Sequence, residues 1–225
     1  MKISVKLTAI MCALGVFAVG AVGITLLVRS RTVIYDLSDS NVKNLAESAV
    51  EEIEKHLEVY WDATETLSQV FKHFEAFSVE RRRTVLNELV RGMVIENPEL
   101  ISVWCCWEPN VLEGNDLPYI GTPGTDTAGR FAPYWFRNGN NIELDILAEY
   151  DVPGSGDYYL LARNSGKGQL LEPYWYEFGG KSILITSVAF PILSREGNRV
   201  IGVVGMDVNI DALQKLGQDA KPYAD

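Results

Sequence analysis

Apolar and polar positions divide the chain into one unbroken apolar run and two segments with different periodicities. The run, Leu7 to Val28, has 22 residues and no charge. A helix needs about 20 such residues to cross the ~30 Å hydrocarbon core of a bilayer. The basic start also fits a secretory signal peptide, whose apolar core is usually about 7–15 residues long. The greater length here favours a transmembrane helix over 7–28, after a short cytoplasmic tail over 1–6.

A helical apolar stripe follows this run. Between Thr32 and Phe77 the chain contains no Pro or Gly, and apolar residues recur mainly at steps of three and four. This spacing is that of an amphipathic helix. We therefore expect a long helix over 29–77, whose stripe must be buried against a sheet or a second subunit. A shorter helix is predicted over 79–95, because Asn97-Pro98 ends it.

The remainder of the chain has the pattern of a sheet. Segments rich in β-branched and aromatic residues alternate with turns, and Asn138-Gly139-Asn140-Asn141 and Gly179-Gly180 are hairpin signals. The predicted strands are 101–107, 130–136, 142–147, 172–178, 182–191 and 199–208, with short helices over 157–163 and 211–216. Helices followed by a mostly antiparallel sheet make the fold class α+β.

Charge narrows the function classes. Four of the 20 Lys and Arg residues precede residue 32, whereas all 30 Asp and Glu residues follow it. The part after the apolar run is therefore strongly acidic. Nucleic-acid binding needs a basic surface, so we exclude that class.

Candidate metal and enzyme motifs are scarce. His56 and His73 point to different faces of the predicted helix, which argues against a metal pair. Cys105 and Cys106 are adjacent on a predicted strand and point to opposite faces, so we expect two buried free thiols rather than a vicinal disulfide or a metal pair. Gly-x-Ser-x-Gly, His-Glu-x-x-His and Cys-x-x-Cys are absent. We expect no enzyme, no metal and no cofactor.

Several strings, taken in order, resemble one known family. They are Trp107-Glu108-Pro109-Asn110, Gly129 to Trp135, Asp157-Tyr158-Tyr159, Glu172 to Tyr176 and Gly202 to Asp207. With the preceding helices, they make residues 8–225 similar to the double Cache (PDC-like) extracytoplasmic sensor domain of bacterial chemoreceptors and sensor kinases.

The resemblance implies an architecture and a role. After the transmembrane and stalk helices, a PAS-like, membrane-distal Cache module would span 78–216. Residues 217–225 would begin a linker to a missing membrane-proximal module of a longer protein. The implied function is a small-molecule sensor in chemotaxis, anchored in the bacterial inner membrane with its sensor outside the cytoplasm, and dimeric through the long helix. The alternatives are the sensor of a histidine kinase or cyclase, or a module that docks a periplasmic protein.

The resemblance also indicates where a ligand would bind. Amino-acid-binding members use an Arg-x-Trp-Tyr segment, a Pro-Tyr-x-Asp segment and the Asp of the last strand. Here Gly156 stands at the position of the Arg, and Tyr176 at that of the first acid, while Asp207 matches the last acid. These departures disfavour α-amino acids.

Four tyrosines and one carboxylate remain, a set that suits a cation or a flat ring. We expect amines or cations ahead of purines or organic acids. The candidate ligand-binding residues are Trp135, Arg137, Asp157, Tyr158, Tyr159, Tyr174, Tyr176 and Asp207. Three separate alternatives remain. Arg130 or Arg137 would instead bind a carboxylate of the ligand. The tyrosines would be core residues rather than ligand contacts, or Asp207 would cap the turn into the last helix.

Overall fold

The computed structural model describes residues 3–178 and 181–210. Contacts divide the chain into two units, the first reaching from the N terminus to Glu51 and the second spanning Glu52 to Asp219. The last predicted helix, 211–216, and the turn Gly179-Gly180 lie outside the described residues.

The first unit is helical throughout its described part. Helix α1 begins at Ile3 and continues to Phe71, so residues 3–51 form its N-terminal portion. Among the described residues, α1 alone is long and apolar enough to cross a membrane, and its apolar window is unburied. Beyond that window, Ile34, Leu37 and Val42 also expose more than half of their surface.

The second unit combines the end of α1 with two further helices and a seven-stranded sheet. The helices are α2 (Arg82–Glu96) and α3 (Asp157–Ser165), and the strands are β1 (Leu100–Trp107), β2 (Pro133–Asn138), β3 (Asn141–Ile146), β4 (Gln169–Leu170), β5 (Tyr174–Phe178), β6 (Lys181–Leu193) and β7 (Val200–Asn209). The order is β3-β2-β1-β7-β6-β4, β5 also pairs with β6, and every pairing is antiparallel. The α+β class is confirmed.

One face of the sheet, here called the helix face, packs on α1 and α2. Leu67 and Phe71 of α1 and Leu86 and Val90 of α2 are buried with apolar residues of the central strands. Full burial of such a side chain contributes about 1.5–3 kcal/mol, and this favourable term balances the entropy of ordering the chain. Phe71 and its cluster thus explain why a long helix with one apolar stripe folds here.

The opposite face, here called the α3 face, carries a second core. Tyr158, Tyr159 and Ala162 of α3 pack on Trp104 and on other residues of the central strands. Because side chains alternate along a strand, neighbours belong to different cores. Cys105 lies in the core of the helix face and Cys106 in that of the α3 face, and both are buried free thiols as predicted.

Most boundaries differ from the predictions by one to three residues, and the helix ends and one strand differ in kind. Helix α1 ends at Phe71, not at residue 77, and a 3₁₀ turn over Phe74–Ala76 brings the Phe74 ring to 5.0 Å from that of Trp107. Periodicity missed this end because the turn buries Phe74 on the same face. A 3₁₀ turn also precedes α2, and β4, only two residues long, was not predicted.

Close packing of β7 on β1 depends on one glycine. A Cβ atom at Gly205 would lie 2.2 Å from Cζ2 of Trp104, so the indole lies directly over the bare backbone. By contrast, a Cβ atom at Gly92 in α2 would meet no atom within 4 Å.

We predict that Gly205→Ala destabilises the protein by about 1–3 kcal/mol, the usual cost of overpacking a core. Gly92→Ala is the matched control, and it should stabilise by about 0.5–1 kcal/mol because alanine favours a helix. Urea unfolding of the detergent-solubilised chain, followed by circular dichroism, measures both changes. Equal stabilities for the two variants would contradict the packing argument.

Candidate functional site

A pocket of about 760 Å³ opens on the α3 face, between α3 and the segment that carries β4 and β5. It is bounded by Ala148, Glu149, Gly154, Ser155, Asp157, Tyr158, Leu161, Leu170, Leu171, Glu172, Tyr174, Trp175, Tyr176 and Glu177. This volume lies within the range of small-molecule sites.

The lining is acidic and aromatic. Its carboxylates are those of Glu149, Asp157, Glu172 and Glu177, and none of the described lining residues is Lys, Arg or His. Its aromatic residues are Tyr158, Tyr174, Trp175 and Tyr176. Negative charge beside aromatic faces attracts cations, since the two effects have the same sign.

The tyrosines are held by their own contacts. Tyr158 donates its hydroxyl proton to the carbonyl of Ala148, and its ring meets Trp104 edge-on at 5.3 Å. Tyr174 and Tyr176 lie two positions apart on β5 and therefore on the same face of the strand. Their ring centroids are 6.5 Å apart, and the two ring planes are nearly perpendicular. Burial, together with the negative charge of Asp207, raises the pKa of all three hydroxyls, so they remain neutral.

Asp207 on β7 forms a buried polar centre next to these rings. It is 3% exposed and accepts hydrogen bonds from Ser102, from Ser187 at 2.5 Å and from the indole N–H of Trp104 at 3.2 Å. Burial raises the pKa of the carboxyl group, and the donors oppose that rise only in part. These partners lie on the strands beside β7; the alternative, a cap of the turn into the last predicted helix, concerns residues outside the described part of the chain.

The pocket and the carboxylate are joined by one contact. The hydroxyl of Tyr174 lies 2.7 Å from that of Ser187, which in turn donates to Asp207. Asp207 itself does not line the pocket.

Five of the eight predicted site residues belong to this region. Asp157, Tyr158, Tyr174 and Tyr176 line the pocket, and Asp207 lies behind it. The structure does not bring the other three to the pocket.

Trp135 and Arg137 lie on the helix face instead. The indole N–H of Trp135 donates to Asn87 at 2.9 Å, and the guanidinium of Arg137 donates to the carbonyl of Val94. Both are odd-numbered positions of β2, whereas Tyr134, one position earlier, packs in the core of the α3 face. Sequence predicts the alternation but not which set faces the pocket, so this part of the site prediction is corrected.

Tyr159 belongs to a separate ionic cluster on the α3 face. Its hydroxyl donates to Glu108 and accepts from Arg130, while Arg163 donates to Glu108 at 2.9 Å. The pKa of Glu108 is lowered because these partners outweigh its burial. Arg130 also donates to the carbonyl of Trp107, and neither it nor Arg137 lines the pocket as a carboxylate clamp.

Gly156, which we align with the Arg of amino-acid-binding members, lies where a side chain does not fit. A Cβ atom there would lie 2.4 Å from the carbonyl oxygen of Glu149 and 2.7 Å from the backbone of Tyr150. The backbone therefore leaves no room for a side chain at this position, and among the described residues no arginine lines the pocket.

Sequence reasoning missed the residues that surround Asp207. Ser102 of β1 and Ser187 of β6 are the direct cross-strand partners of Asp207, one on each side. The buried hydroxyl of Tyr134 also interacts with Ser102 and Asp207, and nothing in the sequence indicates that contact. Small polar residues facing an acid across two strands are recognisable only once the register is known.

A second, polar pocket of about 660 Å³ lies among Asn110, Asp116, Asp126, Arg130 and Tyr150. Two of its three acids are already used, because Arg83 pairs with Asp116 at 2.8 Å and the hydroxyl of Tyr150 donates to Asp126 at 2.5 Å; the third is Asp151. Within the described residues, no group of three or more His, Cys, Asp or Glu side chains is placed to hold a metal ion.

Curated relatives are chemoreceptors. Methyl-accepting chemotaxis protein TlpQ of Pseudomonas aeruginosa is 33% identical over 148 residues, which are 60% of this chain and 20% of that protein. McpA of Pseudomonas putida is 35% identical over 74 residues, which are 33% of this chain and 11% of that protein. The chain therefore spans at most about a fifth of the curated relatives it matches.

Solved structures share the fold. Methyl-accepting chemotaxis protein X has a TM-score of 0.64 and 27% identity, covering 87% of this chain and 69% of that one. The extracellular domain of the histidine kinase mmHK1S-Z3 has a TM-score of 0.62 and 25% identity, covering 72% of this chain and 55% of that one. The ligand-binding domain of Campylobacter jejuni chemoreceptor Tlp3 in complex with L-valine has a TM-score of 0.57 and 14% identity, covering 83% of this chain and 65% of that one. At this identity the likeness shows the fold alone.

The family that matches directly is the first PDC sensor domain of methyl-accepting chemotaxis protein-like receptors, over residues 86–215. This range contains the whole sheet, α3 and both sides of the pocket. The match covers more than half of the chain, so the protein belongs to this family of sensor domains.

Proposed function

We propose that this domain is the extracytoplasmic sensor of a chemoreceptor and that its ligand is a small organic cation, in the first place an amine. The observation that carries the proposal is the pocket on the α3 face, whose described lining contains four carboxylates and three tyrosines but no basic side chain. A cation is attracted by the aromatic faces and by the negative potential of the carboxylates. The pocket supplies every partner that such a ligand needs.

The same charges disfavour ligands that carry a carboxylate. A buried carboxylate needs a cation or several N–H donors to offset its lost hydration. In the described lining no Arg, Lys or His supplies one, and Gly156 bars a side chain from the position where amino-acid-binding members have Arg. L-Valine is bound by Tlp3, but we do not extend that ligand to this pocket.

We propose the membrane arrangement given by the sequence. Residues 1–6 would be cytoplasmic, 7–28 would span the inner membrane, 29–77 would form the stalk, 78–216 the sensor module, and 217–225 the start of a linker. In support, α1 is a continuous helix from Ile3 to Phe71 whose N-terminal apolar residues are exposed. Its exposed apolar stripe beyond residue 31 supports a homodimer along the helix.

Strand β6 offers a path from the pocket to α1. Ser187 of β6 faces the pocket side, whereas Phe190 of the same strand meets Trp61 of α1 edge-on at 4.7 Å. One residue further, the carbonyl of Pro191 accepts the hydroxyl proton of Ser68 of α1 at 2.7 Å. We propose that a ligand-induced shift of β6 displaces α1 and thereby biases the signalling state.

A second candidate function keeps the same sensor role but places the domain in a different type of receptor, a histidine kinase instead of a chemoreceptor. The extracellular domains of two histidine kinases, mmHK1S-Z3 and mmHK1S-Z2, are 25% and 28% identical to this chain with TM-scores of 0.62. This likeness favours a kinase as the alternative receptor type. Docking of a periplasmic protein at the pocket is a third possibility that the following experiment tests.

We predict that amines, and not simple carboxylates, stabilise the protein in a thermal-shift screen of the detergent-solubilised chain. Saturation at 100 times the dissociation constant adds about 2.7 kcal/mol to the free energy of unfolding, which raises the melting temperature by several degrees. The screen includes amines, amino acids, nucleobases and organic acids. Stabilisation by carboxylates that lack an amine would contradict the proposed ligand class.

Two variants separate solute binding from protein docking. Tyr158→Ala and Asp207→Ala should abolish the amine-induced shift, because they remove an aromatic wall and the nearby negative charge. Val79→Ala, at an exposed position before α2, is the control and should keep the shift. A folded protein that no solute stabilises, but that retains a protein partner in both variants, would support docking instead.

We predict that Asp207→Asn stabilises the unliganded protein and abolishes amine binding. The raised pKa of Asp207 means that the folded state binds its proton more tightly than the unfolded state. The stability from that proton is present at low pH, and it is lost between about pH 4, the unfolded value, and the raised folded pKa. The amide of the variant does not ionise, so the variant avoids this loss. The loss amounts to about 1.4 kcal/mol of unfolding free energy for each unit by which folding raises the pKa.

The melting temperatures of Asp207→Asn and the unsubstituted protein, measured from about pH 4 to neutral pH, check this prediction. The advantage of the variant should grow as the pH rises and vanish at the acidic end. Ser102 and Ser187 can either donate or accept, so they adapt to the amide. An advantage that does not depend on pH would exclude the carboxyl group as its cause.

We predict that α1 pairs with α1 of a second chain along its apolar stripe. In a Cys12→Ser background, Val42→Cys should form intermolecular disulfides in membranes, because Val42 lies on the exposed stripe. Asn44→Cys, which points to the other side of the helix, is the control. Equal cross-linking at both positions would indicate random collisions. Cys105 and Cys106 are buried and do not interfere.

A further inference from the structure

The contact between the pocket and the buried carboxylate is a chain of hydroxyl groups. Tyr174 lines the pocket, its hydroxyl lies 2.7 Å from that of Ser187, and Ser187 lies 2.5 Å from Oδ1 of Asp207. Ser187 is fully buried and Asp207 is 3% exposed. In this structure a ligand in the pocket therefore meets Tyr174 and not Asp207.

The direction of the protons in this chain follows from the inventory of donors. Ser187 donates its single proton to Oδ1 of Asp207, which is the direction that an ionised carboxylate requires because it only accepts hydrogen bonds. Ser187 can then only accept from Tyr174, whose own proton is directed inward. The lone pairs of the Tyr174 oxygen remain for the pocket, and each bond in such a chain polarises the next.

Tyr174 keeps its proton throughout. Burial, and then the charge of Asp207, raises the pKa of its hydroxyl above the ordinary value. The group therefore acts as a neutral oxygen whose partial negative charge is increased by the relay.

We propose that the pocket recognises a cation bearing N–H groups through the relay Tyr174–Ser187–Asp207, in which Tyr174 contacts the ligand and Ser187 is a positioning residue. This inference rests on the proposed function and narrows its ligand class. A primary or secondary ammonium can donate to the Tyr174 oxygen, whereas a quaternary ammonium cannot. Aromatic faces alone do not make that distinction, because they attract both kinds of cation.

The protein contains its own control for the relay. Ser102 also donates its hydroxyl proton to Asp207, but to Oδ2, and it is fully buried and does not line the pocket. Ser102→Ala and Ser187→Ala each delete one serine donor to the same carboxylate. Only Ser187→Ala interrupts the path to Tyr174.

The test is calorimetric titration of the full chain with matched pairs of probes. Benzylamine and phenethylamine are each compared with their N,N,N-trimethyl derivatives. In Ser187→Ala the affinity for the amines should fall about tenfold, the scale of one hydrogen bond to a charged group, while the affinity for the trimethyl derivatives stays unchanged. In Ser102→Ala the affinity for the amines should fall by less than about threefold.

A double-mutant cycle adds a readout that a structural role would not give. Tyr174→Phe should match the loss seen in Ser187→Ala, and the double variant should lose no more than either, because both interrupt one path. Tyr174 is only half-buried, so Tyr174→Phe carries the test if Ser187→Ala does not fold.

Each other outcome overturns a defined statement. Equal losses in Ser102→Ala and Ser187→Ala would show that Asp207 acts directly or through space, and would overturn the relay. Equal losses for amines and their trimethyl derivatives would mean structural damage and no selection for N–H groups. If none of the probes binds the unsubstituted chain but carboxylates do, the proposed cationic ligand fails, and the relay fails with it.

Discussion

The buried carboxylate of Asp207 is the constraint on which this sensor domain depends. A desolvated negative charge costs several kcal/mol unless donors surround it, and here the donors come from β1 and β6, the two strands that flank β7. Those donors are correctly placed only in one strand register. Trp104 reaches the carboxylate because Gly205 leaves room for its indole. The polar centre thus ties the packing of three strands to the chemistry of the pocket.

The two faces of the sheet divide structure from recognition. On the helix face, α1 and α2 bury large apolar side chains such as Phe71 and Leu86, a pattern typical of stability alone. On the α3 face, tyrosines and carboxylates border an open pocket. Both sets of side chains alternate along the same strands, so a displacement of a strand would move side chains on both faces. Strand β6, with Ser187 on one side and Phe190 on the other, is the most direct connection between them.

Much of this fold could be predicted from the sequence, and about half of the site. Helical spacing gave α1 and α2, and the turn Asn138-Gly139-Asn140-Asn141 gave the β2–β3 hairpin, because these signals are local. The match of Tyr174 and Asp207 to family positions led to two residues that lie in or behind the candidate pocket. Trp135 failed because nothing local tells which face of β2 is the pocket side. The donors around Asp207 come from strands far apart in sequence, so only the register reveals them.

Gly156 has a consequence for how such receptors diversify. The carbonyl of Glu149 occupies the space of a Cβ atom at this position, so any other residue there first requires a different path for the loop before α3. Under the proposed function, a change of ligand by substitution alone would therefore have to come from the side chains of the pocket walls. A change at this position would have to be accompanied by a change of backbone.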